Sequence, residues 1–363
     1  MPDLKTTPLT QWHRAQDAKM APFAGWDMPI QYSSILSEHT HTRSQASVFD
    51  ICHMGEFLIS GTKARETLSQ VVTHNLTTLA PGRCRYGFLL NPQGGIIDDL
   101  IVYCLADDEF LLVVNGARTE VDFAWIQDHL GAQASIADIS EETAKIDLQG
   151  PQSFEVLNQA LNADFTHLKY FGFTRHEFAG APLLVSRTGY TGELGVELYL
   201  GPDNALALWD LLLADERVKP AGLGARDTLR LEMGLPLYGQ DLDENHTPAE
   251  AGYEALLTSE ADYIGKGKDR DVREKLVSVK TPGRMSPRHG DVIRYSGQDV
   301  GVITSGSFAP SLGCGIGLGY VRADKAEHND PYSIDKKRSL LPLDQVPLPF
   351  YTQGTARMKL QSS

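Results

Sequence analysis

Arg85-Tyr86-Gly87-Phe88-Leu89-Leu90-Asn91-Pro92-Gln93-Gly94-Gly95-Ile96-Ile97-Asp98-Asp99-Leu100-Ile101-Val102-Tyr103 is the stretch from which the fold is best read. Two apolar runs, Phe88 to Leu90 and Ile96 to Tyr103, flank a connection with the composition of a tight turn, its glycines free to take positive φ. The pattern predicts a β-hairpin. Its second strand carries the acidic pair Asp98-Asp99 among isoleucine, leucine and valine. Side chains alternate faces along a strand, so one aspartate is expected to point with Ile96 and Leu100 and the other away. A carboxylate buried there needs a partner, hydrogen-bond donors or a raised pKa. The plain alternative is an aspartate that only closes the hairpin.

At 363 residues the chain is long enough for two or three domains. Hydrophobic residues make up 42% and charged residues 22%, as in ordinary globular proteins. A formal charge of −14 argues against a nucleic-acid partner, which would call for a basic face. Cys52, Cys84, Cys104 and Cys314 show no C-x-x-C spacing and are too few for a secreted disulfide framework. The N-terminal Met-Pro-Asp-Leu-Lys-Thr-Thr-Pro has no leader pattern, and no apolar run approaches the length of a membrane span. A cytoplasmic protein without membrane contact is the expectation.

Along the chain, Leu9, Trp12 and His13 have helical spacing, Phe23 to Tyr32 reads as an aromatic-rich loop, and Ile35 to Ser47 as a helix. Glu38, His39 and His41 resemble metal ligands, but residues two apart do not share a helix face and no further ligand is signposted, so no metal is assigned. Strands are expected at Glu56–Ser60, Phe110–Asn115, Ala144–Gln149 and Pro182–Arg187. Helices are expected at Ala64–Val72, Arg118–Leu130, Phe154–Leu161, Leu206–Leu213 and from about Ala225. From about Lys275 the texture becomes short strands with frequent turn signals, which suggests a small all-β barrel or sandwich. The glycines of Gly313 to Gly319 do not match a dinucleotide fingerprint and are assigned to strand and turn.

Several separated motifs occur in a fixed order: Phe23-Ala24-Gly25-Trp26-Asp27-Met28-Pro29, Phe49-Asp50-Ile51-Cys52-His53-Met54, Gly94 to Val102, Leu148-Gln149-Gly150-Pro151, Thr188-Gly189-Tyr190-Thr191-Gly192-Glu193, Gly222 to Glu232, and Val302 to Pro310. In these the sequence resembles the aminomethyltransferases (T-proteins) of the glycine cleavage system, within the wider group of folate-dependent enzymes. The resemblance implies an α+β, three-domain cloverleaf around a central folate channel, with an all-β barrel at the C-terminus. The expected domains are residues 1–50 plus 144–274, then 51–143, which carries the hairpin, and then 275–363.

The implied reaction transfers the methylene of an aminomethyl group, carried on a lipoyl sulfur of the H-protein, to tetrahydrofolate as co-substrate, with ammonia released. By motif matching, Asp98 falls on the catalytic aspartate, Glu197 and Arg226 on folate contacts, Tyr86 and Tyr190 on aromatic positions lining the folate site, and Asn115 on a pocket-lining position. Losing sulfur or nitrogen from the transferred carbon develops positive charge, which a fixed anion in a dry pocket stabilises. Glu197 would accept paired N–H donors of the pteridine, while Arg226 has an alternative as an ordinary helix-terminal ion pair with Asp227.

There are departures from the family's pattern. Tyr253 stands after Glu250-Ala251-Gly252 where tryptophan is frequent, and Gly267-Lys268-Asp269 is an unusual helix start. Arg357 is the nearest residue to an expected C-terminal folate contact. Two other functions share this fold: a folate-dependent demethylase of a small methylated compound, and a folate-binding iron–sulfur maintenance protein. The latter carries a Lys-Gly-Cys-Tyr-x-Gly-Gln-Glu motif that this sequence lacks.

Overall fold

A computed structural model describes residues 4–327, 331–336 and 340–360. Met1, Pro2 and Asp3 of the N-terminal stretch, and the last three residues of the expected third domain, lie outside them.

The hairpin forms as the sequence predicts, from strands Arg83–Leu90 and Ile96–Ala106. Asn91 closes it. Its backbone N–H donates to the Gly95 carbonyl (2.9 Å), and its side-chain oxygen accepts from the Gln93 and Gly95 N–H groups at 2.9 and 3.0 Å. Gly94 takes φ +84°, which few other residues would tolerate. A bulge between Leu89 and Leu90 adds one residue to the facing strand, so the expected alternation shifts there. Ile96 groups with Phe88 and Leu90, whereas Ile97 joins Leu89 and Leu100 in the other cluster.

The fold is α+β. The hairpin belongs to a five-stranded sheet completed by Glu109–Val114, Gly55–Ser60 and Ser135–Asp138. One face of this sheet packs under helix Thr119–His129, whose Ile126 enters a core with Phe57, Val102 and Leu112. A six-stranded sheet is built from Phe173–Phe178, Ala181–Ser186, Gly195–Leu200, Ala144–Gln149, Ala46–Asp50 and Val218–Pro220. Its apolar face carries helices Ser153–Leu161 and Ala205–Leu213, with Trp209 fully buried. The third body is a closed six-stranded barrel from Glu274 to Gln345, sealed where Val279 pairs with Gln345. Gly315, Gly317 and Gly319 lie in its strand Cys314–Arg322, as assigned.

Two local expectations are corrected. Phe23 to Tyr32 is not a loop but part of a two-stranded hairpin, Lys19–Phe23 with Trp26–Gln31, turned at Ala24 (φ 50°) and Gly25 (φ 84°). The second helix ends at Ser44, because Ala46 already starts a fully buried strand.

Helix Leu223–Glu232 joins the parts, packing on helix Ile35–Ser44, on strand Trp26–Gln31 and on barrel strand Gln298–Ala309. Its N-terminus comes so close to the small hairpin that a Cβ on Gly222 would stand 2.3 Å from the Ile30 backbone. Arg230, almost fully buried, ties it to the barrel through Asp241 and Ser305, both at 2.9 Å.

The hairpin Arg83–Ala106 is braced from outside as well. A Cβ on Gly95 would lie 1.9 Å from the Glu244 carbonyl oxygen. Gly95→Ala is therefore expected to lower stability by about 1–3 kcal/mol, from overpacking against backbone that cannot yield; a shift in the urea midpoint with unchanged slope measures it.

Candidate active site

Neighbouring strand positions face opposite ways, and the acidic pair divides accordingly. Asp98 points with Leu89 and Leu100 into the sealed face and has no solvent exposure. Asp99 points the other way, on the face of Tyr86, Phe88 and Ile101, and is partly exposed. Of the two carboxylates Asp99 is thus the more exposed, next to the position that motif matching selects. The Tyr86 hydroxyl donates to it at 3.0 Å, and Tyr253 packs against the Tyr86 ring at 5.8 Å. Burial, with the nearby Asp98 charge, pushes the Asp99 carboxyl up to about 7.

Asn115 sits between the two aspartates. Its backbone N–H donates to Asp98 Oδ2 (3.0 Å), and its Nδ2 donates to Asp98 Oδ1 and to Asp99 Oδ1, both 2.9 Å. The expected pocket-lining role for Asn115 is accompanied by this clamp, which nothing in the sequence pattern signals.

Tyr190 lies between this acid and a second polar group. Its hydroxyl donates to the Pro236 carbonyl, the Arg226 guanidinium stands 5.1 Å over its ring, and it feels the Asp99 charge. Arg226 pairs with Asp147. The Asp227 alternative goes to a different arginine: Asp227 accepts from Arg230 at 2.9 Å. Asp147 lies directly across the ladder from Glu197. Glu197 accepts from the Thr188 hydroxyl (2.6 Å) and lies 3.3 Å from Lys145 Nζ and 3.3 Å from the Tyr199 hydroxyl. Burial alone would push the Glu197 carboxyl up, but Lys145 and the Thr188 hydroxyl hold it below the usual range. Burial raises Asp147 to about 6 despite Arg226, and its Oδ1 is buried with no hydrogen-bond partner. Such an acceptor fits a bound group that brings N–H donors. Lys145 and Asp147 alternate with Ile146 and Leu148 along an otherwise apolar strand, a signal that could have marked them from sequence.

Arg357 lies apart from this hydrogen-bonded set. It lines a neighbouring cleft of about 350 Å³ with Tyr170, Thr188, Gly189 and Tyr351, its guanidinium 5.6 Å over the Tyr170 ring. Thr188 connects the two regions, its hydroxyl on Glu197 and its residue in the cleft wall. The residues that resembled metal ligands have other partners. Glu38 accepts the Tyr32, Ser33 and Gly222 N–H groups, His39 meets Thr228 and Ser311, and His41 faces two backbone carbonyls.

Residues 9–260 match the family model described as the GCVT N-terminal domain, and residues 274–352 match the glycine cleavage T-protein C-terminal barrel domain. The chain belongs to the glycine cleavage T-protein family. It is 44% identical over 356 residues to an aminomethyltransferase of Halothermothrix orenii, covering 96% of this chain and 100% of that one. It is 42% identical to an aminomethyltransferase of Desulforamulus reducens, covering 97% and 99%. The crystal structure of glycine cleavage system aminomethyltransferase T from Bartonella henselae superposes with a TM-score of 0.92 at 34% identity, covering 97% of this chain and 99% of that one. The fold expected of a T-protein, with its C-terminal barrel, is thus the one observed. No helix among the described residues is long and apolar enough to cross a membrane, and the four cysteines are free and buried.

The Arg226–Asp147 pair yields a stability prediction. Asp147 has no exposure, so Arg226→Ala strands a buried carboxylate and is expected to cost about 3–5 kcal/mol, most of it restored when Asp147→Asn is added. Chemical denaturation of the two variants and the wild type measures the difference.

Proposed function

We propose that the chain is the aminomethyltransferase of a glycine cleavage system, passing the methylene of an aminomethyl group on a lipoyl sulfur of an H-protein to tetrahydrofolate, with release of ammonia. The observation that carries the assignment to this chain's own residues is the partly exposed Asp99 carboxylate, ringed by Tyr86, Tyr190 and Tyr253. The full-length relatives carry the name aminomethyltransferase and favour neither the demethylase nor the iron–sulfur maintenance reading.

Asp99, rather than Asp98, is the residue we place at the reacting carbon. Breaking the carbon–sulfur bond releases the dihydrolipoyl thiol and leaves the aminomethyl carbon electron-poor. An anion fixed beside it in a low-dielectric recess lowers that barrier without solvent reorganisation. Tyr86 and Asn115 hold the Asp99 oxygens in place while this happens. Tetrahydrofolate supplies the nucleophilic nitrogen that takes the carbon. Glu197, with the unpartnered Asp147 Oδ1 across the ladder, would accept the N–H donors of the pteridine, and Tyr86 and Tyr190 would pack its ring. Arg226, already neutralised by Asp147, orients that carboxylate and stacks on Tyr190. Arg357, in the adjoining cleft, is the cation for the acidic glutamyl tail.

Asp99→Asn is expected to lower kcat on the order of 10²- to 10³-fold with folate binding retained. A rate within twofold of wild type in the H-protein-dependent assay would remove Asp99 from the mechanism. Because the reaction needs the ionised form and burial pushes the Asp99 carboxyl up to about 7, kcat should rise with pH through about 7, the carboxylate being lost by protonation below it. Glu197→Gln should weaken folate binding roughly ten- to a hundredfold, the worth of a hydrogen bond to a charged group, as read by calorimetry. An unaltered dissociation constant would reject that contact.

A further inference from the structure

The Asp99 clamp has a second half that the reaction above leaves unused. Behind the hairpin, helix Thr119–His129 brings Asp122 up to Asp98; burial pushes both carboxyl groups above the usual carboxylate range, and Asp122 pushes Asp98 up further. Neither residue has any solvent exposure. Both Asp122 oxygens are buried and meet no N–H or hydroxyl donor. Two carboxylates in contact, dry and without a cation between them, cannot both stay ionised, and a hydrogen bond between them exists only if one proton lies in it.

Of the groups packed around them one cation, Arg118, acts on Asp122, and it does so without a hydrogen bond or ion pair to either acid. From the hairpin side they face Asp99, from the start of the helix Arg118, and from the 236–246 segment Tyr238 and Glu244. Arg118 gives its guanidinium to Glu244 (2.8 Å) and lies 5.2 Å over the Tyr238 ring, away from any bond to Asp122. On its other side Asp98 takes both Asn115 donors, which favour charge on Asp98, while Arg118 favours charge on Asp122, so a single proton belongs to the pair and to neither acid alone.

We propose that Asp98 and Asp122 share one buried proton, and that this pair is a positioning device which fixes Asn115 and, through the Asn115 amide, the Asp99 carboxylate. The chain of contacts is continuous. The Asp122 carboxyl holds Asp98, Asp98 holds the backbone and side-chain N–H of Asn115, and the remaining Asn115 N–H holds Asp99 Oδ1. The pair carries a single negative charge while the proton is present. When the proton leaves at high pH, two charges stand directly behind Asp99 and the clamp is pushed apart. This inference rests on Asp99 as the reacting acid.

The test uses the full-length protein with its H-protein substrate and compares Asp122→Ala with Asp122→Asn. The amide of Asn is a permanent donor in the position of the shared proton. Asp122→Ala should lower kcat on the order of ten- to a hundredfold with little change in the KM for folate, as expected when a reacting group is misplaced. The wild type should show a fall in kcat at alkaline pH, and Asp122→Asn should recover most of the loss and lack that fall; a wild-type profile with no alkaline fall also overturns the proposal. Equal loss in both variants at equal melting temperature, or an alkaline fall that survives in Asp122→Asn, overturns the proposal. A readout independent of turnover is the infrared band of protonated carboxyl groups at neutral pH. Measured in an Asp99→Asn background, it should lose intensity when Asp122→Asn is added, and an unchanged band overturns the shared proton. Activity of Asp99→Asn alone reports on Asp99, so the two readings fail separately.

Discussion

One amide group, the side chain of Asn115, touches both carboxylates of the hairpin at 2.9 Å. The geometry that allows this is set by the strand itself. Successive residues of a pleated strand face opposite ways, so an Asp-Asp pair delivers one acid to each side of the sheet, and only a group at the sheet's end can reach both. Asn115 follows strand Glu109–Val114, which is paired to the hairpin, and so occupies that place. The pair is therefore held by rigid elements, and the placement of Asp99 depends on a buried polar contact rather than on a flexible loop.

Around it the molecule accumulates an unusual density of buried charge. Lys145 with Glu197, Arg226 with Asp147 and Arg230 with Asp241 all pair at or near full burial. Such pairs add little net stability, because desolvation offsets most of the Coulomb attraction. Their value here is spatial. Each has only one arrangement in which no charge is stranded, so helix Leu223–Glu232 can sit in only one way against the six-stranded sheet and the barrel. Tyr190, between Asp99 and Arg226, inherits its position from the same constraint.

Much of this was legible in the residues. The hairpin, the barrel texture after Lys275 and the helices from Arg118 and Ala225 follow from periodicity and turn chemistry, which are local. The hairpin at Phe23 to Tyr32 is hidden in the sequence because its aromatic residues and Met28-Pro29 mask the alternation, and only the positive φ at Ala24 and Gly25 reveals the turn. Choosing between Asp98 and Asp99 depends on a bulge two residues away and on the depth of the opposite face, neither of which a linear pattern contains. The Asp122 contact is harder still. Asp122 lies in the first turn of its helix, where an acid is ordinary, and only tertiary packing turns it toward Asp98.

The cleft bearing Arg357 takes one wall from the last part of the described chain, with Pro349, Tyr351, Gly354 and Ala356 facing Thr188 and Gly189. That strap is lashed to the six-stranded sheet, Arg187 donating to the Ala356 and Met358 carbonyls and Glu193 accepting from the Thr355 hydroxyl. One wall of the cleft and the acidic hairpin thus come from widely separated parts of the polypeptide. Sequence drift in the strap can reshape that cleft, its width and its charge, while the hairpin and its acids remain as they are.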